Sequence, residues 1–328
     1  MEKAAKWCAV VICLAGVLSA GSAHGGDGEI LSRDTVVIDP AIIPDDVSEE
    51  AAARLLPRLK ALESKVEVQA ITYESDGLKV KGYLAFPKTR DTLPCVIYNR
   101  GGNRGFGALS PLSAVLRLGD LASEGYVVVA SQYRGVEGGE GMEEFGGAEL
   151  ADVLNLLPLL DSLPQADTSR VGMYGWSRGG MMTYLALTKT DRIKAAVVGA
   201  APTDVAGLIA DRPAMEDRVL AELVPGWKEN RSAAIAERSA MFWPERLHPK
   251  TPILLLHGSS DWRVDPTQSL RMATALYEAK RAFRLVVFEG GDHGLSEFRD
   301  EVDEQVVQWF DRYVRDGETW PSLEPHGR

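Results

Sequence analysis

Ser177 stands between Gly175 and Gly179 in the run Val171-Gly-Met-Tyr-Gly-Trp-Ser177-Arg-Gly-Gly, with an apolar strand pattern before it and a helical pattern of small and apolar residues after it. A serine hydroxyl is a useful nucleophile only when it is held clear of the chain, beside a base and facing donors for an oxyanion. A sharp strand-to-helix turn does this, and glycines two positions either side leave room for the crossing backbones. The N–H of Arg178, at the helix N-terminus, then faces the reacting carbonyl. The expected chemistry is acyl transfer through Ser177.

Such a serine needs an imidazole, and the imidazole needs a carboxylate to fix its tautomer. The chain has five histidines. His24 falls at a leader junction, His326 in the C-terminal tail, and His248 before Pro249; His257 ends an apolar strand and reads as a buried structural residue. His293, in the glycine-rich loop after the last strand pattern, is the expected base. Asp261, close after the strand ending at His257, is the expected carboxylate. Asp265 precedes Pro266 and reads as a turn or capping residue, and Asp292, adjacent to His293, is the alternative. The order Ser177, Asp261, His293 is that of α/β-hydrolases. A second oxyanion donor is expected from the loop Asn99-Arg-Gly-Gly-Asn103, on the N–H of Gly102.

The elements that position these residues alternate. Ser48 caps a helix to about Glu63, and two strand patterns at 66–74 and 78–86 meet at Asp76-Gly77 as a hairpin. Strands are then expected at 95–98, 126–130, 171–176, 194–200, 252–257 and 283–288, with helices at 112–123, 146–163, 178–187, 267–280 and 296–314. Continuous apolar strands separated by helices predict an α/β fold, a mostly parallel sheet covered on both faces, with working groups at the strands' C-terminal ends. Residues 203–250 break the alternation and read as a helical lid. Residues 24–65 read as a surface arm and a helix, 66–315 as the catalytic domain, and 316–328 as a tail.

At 328 residues, 45% hydrophobic and 25% charged, the composition is that of an ordinary globular chain. The net charge of −11 argues against nucleic acid or an anionic membrane as partner. Lys3 and Lys6, an apolar run from Trp7 to Leu18, and small residues to Ala23 have the order of a secretory signal, 1–23, which predicts an exported protein, periplasmic or secreted. Stable membrane association is not expected after cleavage. Cys8 and Cys13 would leave with the leader, so Cys95 remains without an intramolecular partner, as a small core residue. No cofactor or metal motif is present, and the expected partner is a small molecule or short peptide. The oligomeric state is not readable.

Together the motifs Gly-Trp-Ser177-Arg-Gly-Gly, Tyr133-Arg-Gly135 with Phe145-Gly-Gly and Asp152-Val, His257-Gly-Ser-Ser-Asp261 with Val264, and Asp292-His293-Gly resemble the prolyl-oligopeptidase-like serine hydrolases over roughly residues 66–315. The resemblance implies a catalytic Ser177, Asp261 and His293. Family peptidases usually carry a β-propeller before this domain, and too few residues precede the hairpin for one. Where many relatives read His-Gly-Gly, this chain reads Arg100-Gly-Gly102. The expected activity is cleavage of peptide or amide bonds of small substrates; the alternative is a carboxylesterase for small or carbohydrate-linked esters.

For substrate contacts, Arg100, Arg104, Arg134, Arg178 and Arg263 all follow strands on the edge that carries Ser177. They suit a substrate with an anionic group, or else they pair with loop acids such as Glu137, Glu140 and Glu143. Arg100 and Arg134 are the expected substrate contacts, with Trp227 and Trp243 of the lid as an apolar wall beside them.

Overall fold

The computed structural model describes residues 26–327; the leader expected at 1–23, with His24, lies outside the described residues. Nine strands form one sheet: β1 (Ile30–Thr35), β2 (Val66–Ser75), β3 (Leu78–Pro87), β4 (Leu93–Asn99), β5 (Val127–Ser131), β6 (Ala166–Trp176), β7 (Ile193–Gly199), β8 (Ile253–Gly258) and β9 (Phe283–Phe288). Their order is β1-β2-β3-β5-β4-β6-β7-β8-β9. Pairing is antiparallel from β1 to β3 and between β3 and β5, then parallel from β5 through β9. The alternation of apolar strands and helices thus gives the α/β sheet it predicts.

Local chemistry explains the elements. Ser48 accepts the N–H of Ala51 at 3.3 Å and starts the helix Glu49–Lys65. In the hairpin, Asp76 and Gly77 have φ of 52° and 75°, the pair of positive values that a two-residue turn matched to strand twist requires. In the central strands side chains alternate between two cores. Ile97, Val129, Met173 and Leu255 join the helices on one face. Val96, Val128, Val197 and Leu254 face the other, with the helices Glu49–Lys65, Pro111–Ala114 and Arg299–Phe310.

Two expectations are corrected. Part of the arm at 24–47 is strand β1, which pairs Arg33 with Ile71 and Asp34 with Ala70. Its side chains are mostly exposed, so it carries no apolar period; backbone hydrogen bonds to the open edge of β2 hold it. The helix expected from residue 146 begins at Leu150. The Glu149 carboxylate accepts the backbone N–H groups of Glu144 and Gly146, at 2.9 and 2.5 Å, and winds 144–149 into a loop around itself.

Residues 203–250 are helical, as Val205–Asp211, Glu216–Leu220 and Trp227–Glu237 among shorter turns. Leu220, Trp227, Ile235 and Trp243 are buried and merge with the core beneath β6 and β7. The segment is therefore packed as part of the domain body.

Candidate active site

Ser177 joins β6 to the helix Arg178–Leu187 with φ 56° and ψ −127°, a strained conformation for a residue with a side chain. The chain keeps it because neighbouring contacts leave no alternative. The Ser177 N–H donates to the Gly199 carbonyl at 2.7 Å. A Cβ at Gly175 would lie 2.1 Å from the Gly179 carbonyl oxygen, and one at Gly179 would lie 1.9 Å from that of Asn99. Both glycines are required by close backbone approach, as the turn predicts.

The strand ends supply the rest. His293 Nδ1 lies 2.7 Å from Asp261 Oδ2. The Trp176 indole N–H donates to the His293 carbonyl at 2.8 Å and anchors that loop to the strand carrying Ser177. Asp261 Oδ1 accepts the N–H groups of Arg263 at 2.8 Å and Val264 at 3.1 Å. Burial pushes the Asp261 carboxyl up, yet hydrogen bonds from His257 and His293 outweigh it and hold the group well below the usual carboxylate range. An ionised carboxylate only accepts, so His293 Nδ1 donates to Asp261 and Nε2 is the ring nitrogen left over.

The alternative acids are engaged locally. Asp265 Oδ1 accepts the N–H of Thr267 at 2.8 Å, and Asp292 Oδ1 accepts that of Gly294 at 2.8 Å. His257 is fully buried. Its Nε2 lies 3.1 Å from Asp261 Oδ2 and 3.0 Å from the Val264 carbonyl, and its Nδ1 lies 2.6 Å from Ser269 Oγ. The structural reading of His257 overlooked this contact with Asp261. The repeat of histidine and aspartate four residues apart after one strand was the available signal. His248 is bonded to Thr251, away from this group.

A cavity of about 830 Å³ is lined by Ser177, His293, Gly101, Gly102 and Trp176 among others. The loop of Gly101 and Gly102 runs against the serine: a Cβ on Gly101 would sit 3.2 Å from that of Ser177. Among the described residues neither glycine's N–H is taken by a backbone acceptor. The first N–H groups of the helix Arg178–Leu187 likewise lack intrahelical acceptors. Donors from both sources therefore border the serine.

The expected substrate contacts are placed otherwise. Arg134 is buried and bonds Asp152 at 2.8 Å and Asp76 at 3.1 Å, off this cavity. Arg100 borders the cavity but is 1% exposed, its guanidinium spent on the carbonyls of Gln132 at 2.7 Å and Gly101 at 3.0 Å. The Arg178 side chain holds Glu143 at 2.7 Å, Glu149, and the Gly102 carbonyl at 3.0 Å. Arg104 pairs with Glu222 at 2.6 Å. Of the five arginines, Arg263 keeps a cavity position without a carboxylate among the described residues; its guanidinium lies 5.5 Å from the centre of the Phe106 ring. Trp227 and Trp243 are buried within the helical segment, with indole N–H groups on Glu216 at 3.3 Å and the Ala236 carbonyl at 2.9 Å. Buried guanidiniums and indoles require partners, and the loops supply them internally.

A sequence profile described as the prolyl oligopeptidase family matches residues 114–317. Similar proteins include the uncharacterized peptidase YtmA of Bacillus subtilis, 27% identical over 248 residues, covering 75% of this chain and 93% of that protein. Dipeptidyl-peptidase 5 of Porphyromonas gingivalis is 24% identical over 260 residues, covering 74% of this chain but 37% of its own length. Among solved structures, the uncomplexed acylaminoacyl peptidase of Pyrococcus horikoshii superposes with a TM-score of 0.67 at 25% identity, over 79% of this chain and 44% of that one. The chain thus spans nearly all of the first relative and about two fifths of the others. Among the described residues no helix is long and apolar enough to cross a membrane.

Proposed function

The chain belongs to the prolyl oligopeptidase family of serine hydrolases and has its α/β-hydrolase fold, and on that premise we propose that it cleaves peptide or amide bonds of small substrates through a Ser177-His293-Asp261 triad. The observation that carries the reading is the His293–Asp261 hydrogen bond of 2.7 Å beside the strained Ser177 on one cavity wall. Ser177 Oγ attacks the carbonyl carbon while His293 Nε2 takes its proton. The oxyanion forms between the N–H groups of Arg178 and the Gly101-Gly102 loop. His293 then gives the proton to the leaving nitrogen, the C–N bond breaks, and an ester on Ser177 remains. Water deprotonated by His293 attacks that ester, returning the proton to Ser177 and releasing the acid. Asp261 stays ionised throughout and steadies the imidazolium.

The small size of the substrate is supported by a cavity of about 830 Å³ and by relatives named dipeptidyl-peptidase and acylaminoacyl peptidase. The test is turnover of blocked tripeptide amides and of matched esters by the purified protein, with a fluorophosphonate label located by mass spectrometry. Label on Ser177 and hydrolysis of the amides are expected; ester hydrolysis alone would move the assignment to a carboxylesterase. We also propose export, on the order of charged, apolar and small residues at 1–23. N-terminal sequencing of the protein from its host should find a chain beginning near His24, and intact Met1 in an exported fraction would overturn this.

A further inference from the structure

The cavity extends beyond what attack on a carbonyl needs. From Ser177 it runs along the sheet past Trp176, Tyr174 and Tyr98, under the helical stretch 111–123, and its lining includes Arg117. Tyr98 and Tyr174 meet edge to face with ring centres 5.4 Å apart and make an aromatic wall. Around Arg117, Val115–Gly119 widens into a π-helical turn, a local distortion that re-aims side chains and recurs at functional sites.

Arg117 shares with Arg263, and with no other arginine of this cavity, the lack of a carboxylate partner among the described residues. It is an exposed residue of the cavity wall. Among the described residues its side-chain hydrogen bond is to the Tyr98 hydroxyl, at 3.5 Å, and no carboxylate pairs with it. The acids nearby are engaged: Asp120 pairs with Arg58 and, at 3.6 Å, with Arg299, and Asp303 pairs with Arg299 at 3.6 Å. Glu124, Asp300 and Glu304 are exposed at the rim. Of Arg58, Arg117 and Arg299 on this stretch of the wall, Arg117 alone has no carboxylate within 4 Å among the described residues. The buried Arg100, Arg134 and Arg178 each hold a carboxylate within 4 Å; at the exposed Arg117 that place is open.

We infer that the end of this cavity away from Ser177 holds a carboxylate subsite built on Arg117, and that substrates carry a free carboxylate about three residues from the scissile bond. A guanidinium fork on a cavity wall matches a carboxylate in geometry and charge, and the aromatic wall suits the apolar span between. Tyr174 lies three residues before Ser177, roughly 10 Å along the strand, and each peptide residue reaches about 3.5 Å. The carboxylate belongs either to the C-terminus of a short peptide or to a dicarboxylic acyl group. The substrate half of this inference rests on Ser177 as nucleophile; the subsite does not.

The test is calorimetric binding to the Ser177→Ala protein. One ligand pair is acetyl-Ala-Ala-Ala and its C-terminal amide; the other is monobenzyl suberate and its methyl ester. In at least one pair the acid should bind about tenfold to a hundredfold tighter than its neutral partner. Arg117→Gln should bring that ratio to near one, and Arg117→Lys, which keeps the charge without the fork, should leave part of it. Arg192→Gln, which removes a surface pair with Asp161, should keep it. Preference in the first pair assigns the carboxylate to the leaving side, and in the second to the acyl side. Equal binding within both pairs, or a preference that survives Arg117→Gln in a folded protein, overturns the subsite. Wild-type turnover of the neutral amide is read separately, so failure of the nucleophile would not be mistaken for failure of the subsite.

Discussion

Two charged groups flank Ser177, and they are built on opposite plans. On one side Asp261 receives His257 and His293; on the other Arg178 is enclosed by Glu143 and Glu149, with Arg100 behind them. Both hold a carboxyl below its usual range: Asp261 against its burial through two imidazoles, and Glu149 against its burial through Arg178 and backbone N–H groups. They differ in what is left over. The His293 side chain is 14% exposed and lines the cavity with one ring nitrogen left unbonded by Asp261, whereas Arg178, Glu143 and Glu149 are at most 3% exposed. The first arrangement can exchange a proton with a substrate. The second can only hold, and what it holds is the Gly102 carbonyl and the loop bordering Ser177.

The sharpest way to break the contrast is at the serine. Ser177→Ala should lower turnover by roughly 10⁶-fold and abolish phosphonate labelling in a folded protein; retained labelling would remove Ser177 from the chemistry. Next in size, Asp261→Asn should cost about 10⁴ in kcat by favouring the wrong His293 tautomer, while Asp265→Asn stays within a few fold. Equal losses would mean that the carboxylate is misassigned.

The closed group should answer in stability first. Glu149→Gln leaves Arg178 short of a buried partner and should cost about 3–5 kcal/mol in urea unfolding; a loss near that of an exposed pair would show the cluster to be slack. Acid sharpens the same point. Asp261 and Glu149 have depressed folded values, so their contribution is present above the unfolded carboxylate range, about pH 4, and is lost as pH falls below it toward the folded values. The urea midpoint should therefore drop from pH 5 to 3, less steeply in Glu149→Gln. An unchanged slope would exclude Glu149 as a source. The smallest effect is expected at His257, which acts on His293 through Asp261. His257→Gln should lower kcat about tenfold with KM little changed, and an equal fall in stability with no change in kcat would make it a core residue alone.

How far the sequence discloses each side follows from how local its physics is. Ser177, Asp261 and His293 each sit in a short motif whose glycines and strand position announce a turn, so they are readable one at a time. The strands β4 to β9 are readable for the same reason, as apolar runs that need two covered faces. The Arg178 cluster is assembled across the loops after β4, β5 and β6, and no period in the sequence says which acid meets which arginine. Arg100 and Arg134 were therefore legible as cations that either a substrate or a loop acid would pair, but not which acid each takes. Arg117 was hidden for a different reason: in a helix of apolar residues it reads as an exposed charge, which it is, and only the structure shows that it lines the same cavity as Ser177. Strand β1 depends on an open edge of β2 rather than on its own side chains, so its sequence resembles a linker.

Cys95, in the middle strand of the sheet, has a further use. It is the one cysteine among the described residues, has no exposed surface, and burial pushes its thiol up to about 12. Alkylation needs both contact with the reagent and a thiolate, and neither is offered while β4 is paired on both sides with β5 and β6. Its rate of reaction with iodoacetamide is therefore a clock for the opening of the whole sheet. In the substitutions above, that clock separates a protein that has lost its chemistry from one that has lost its frame.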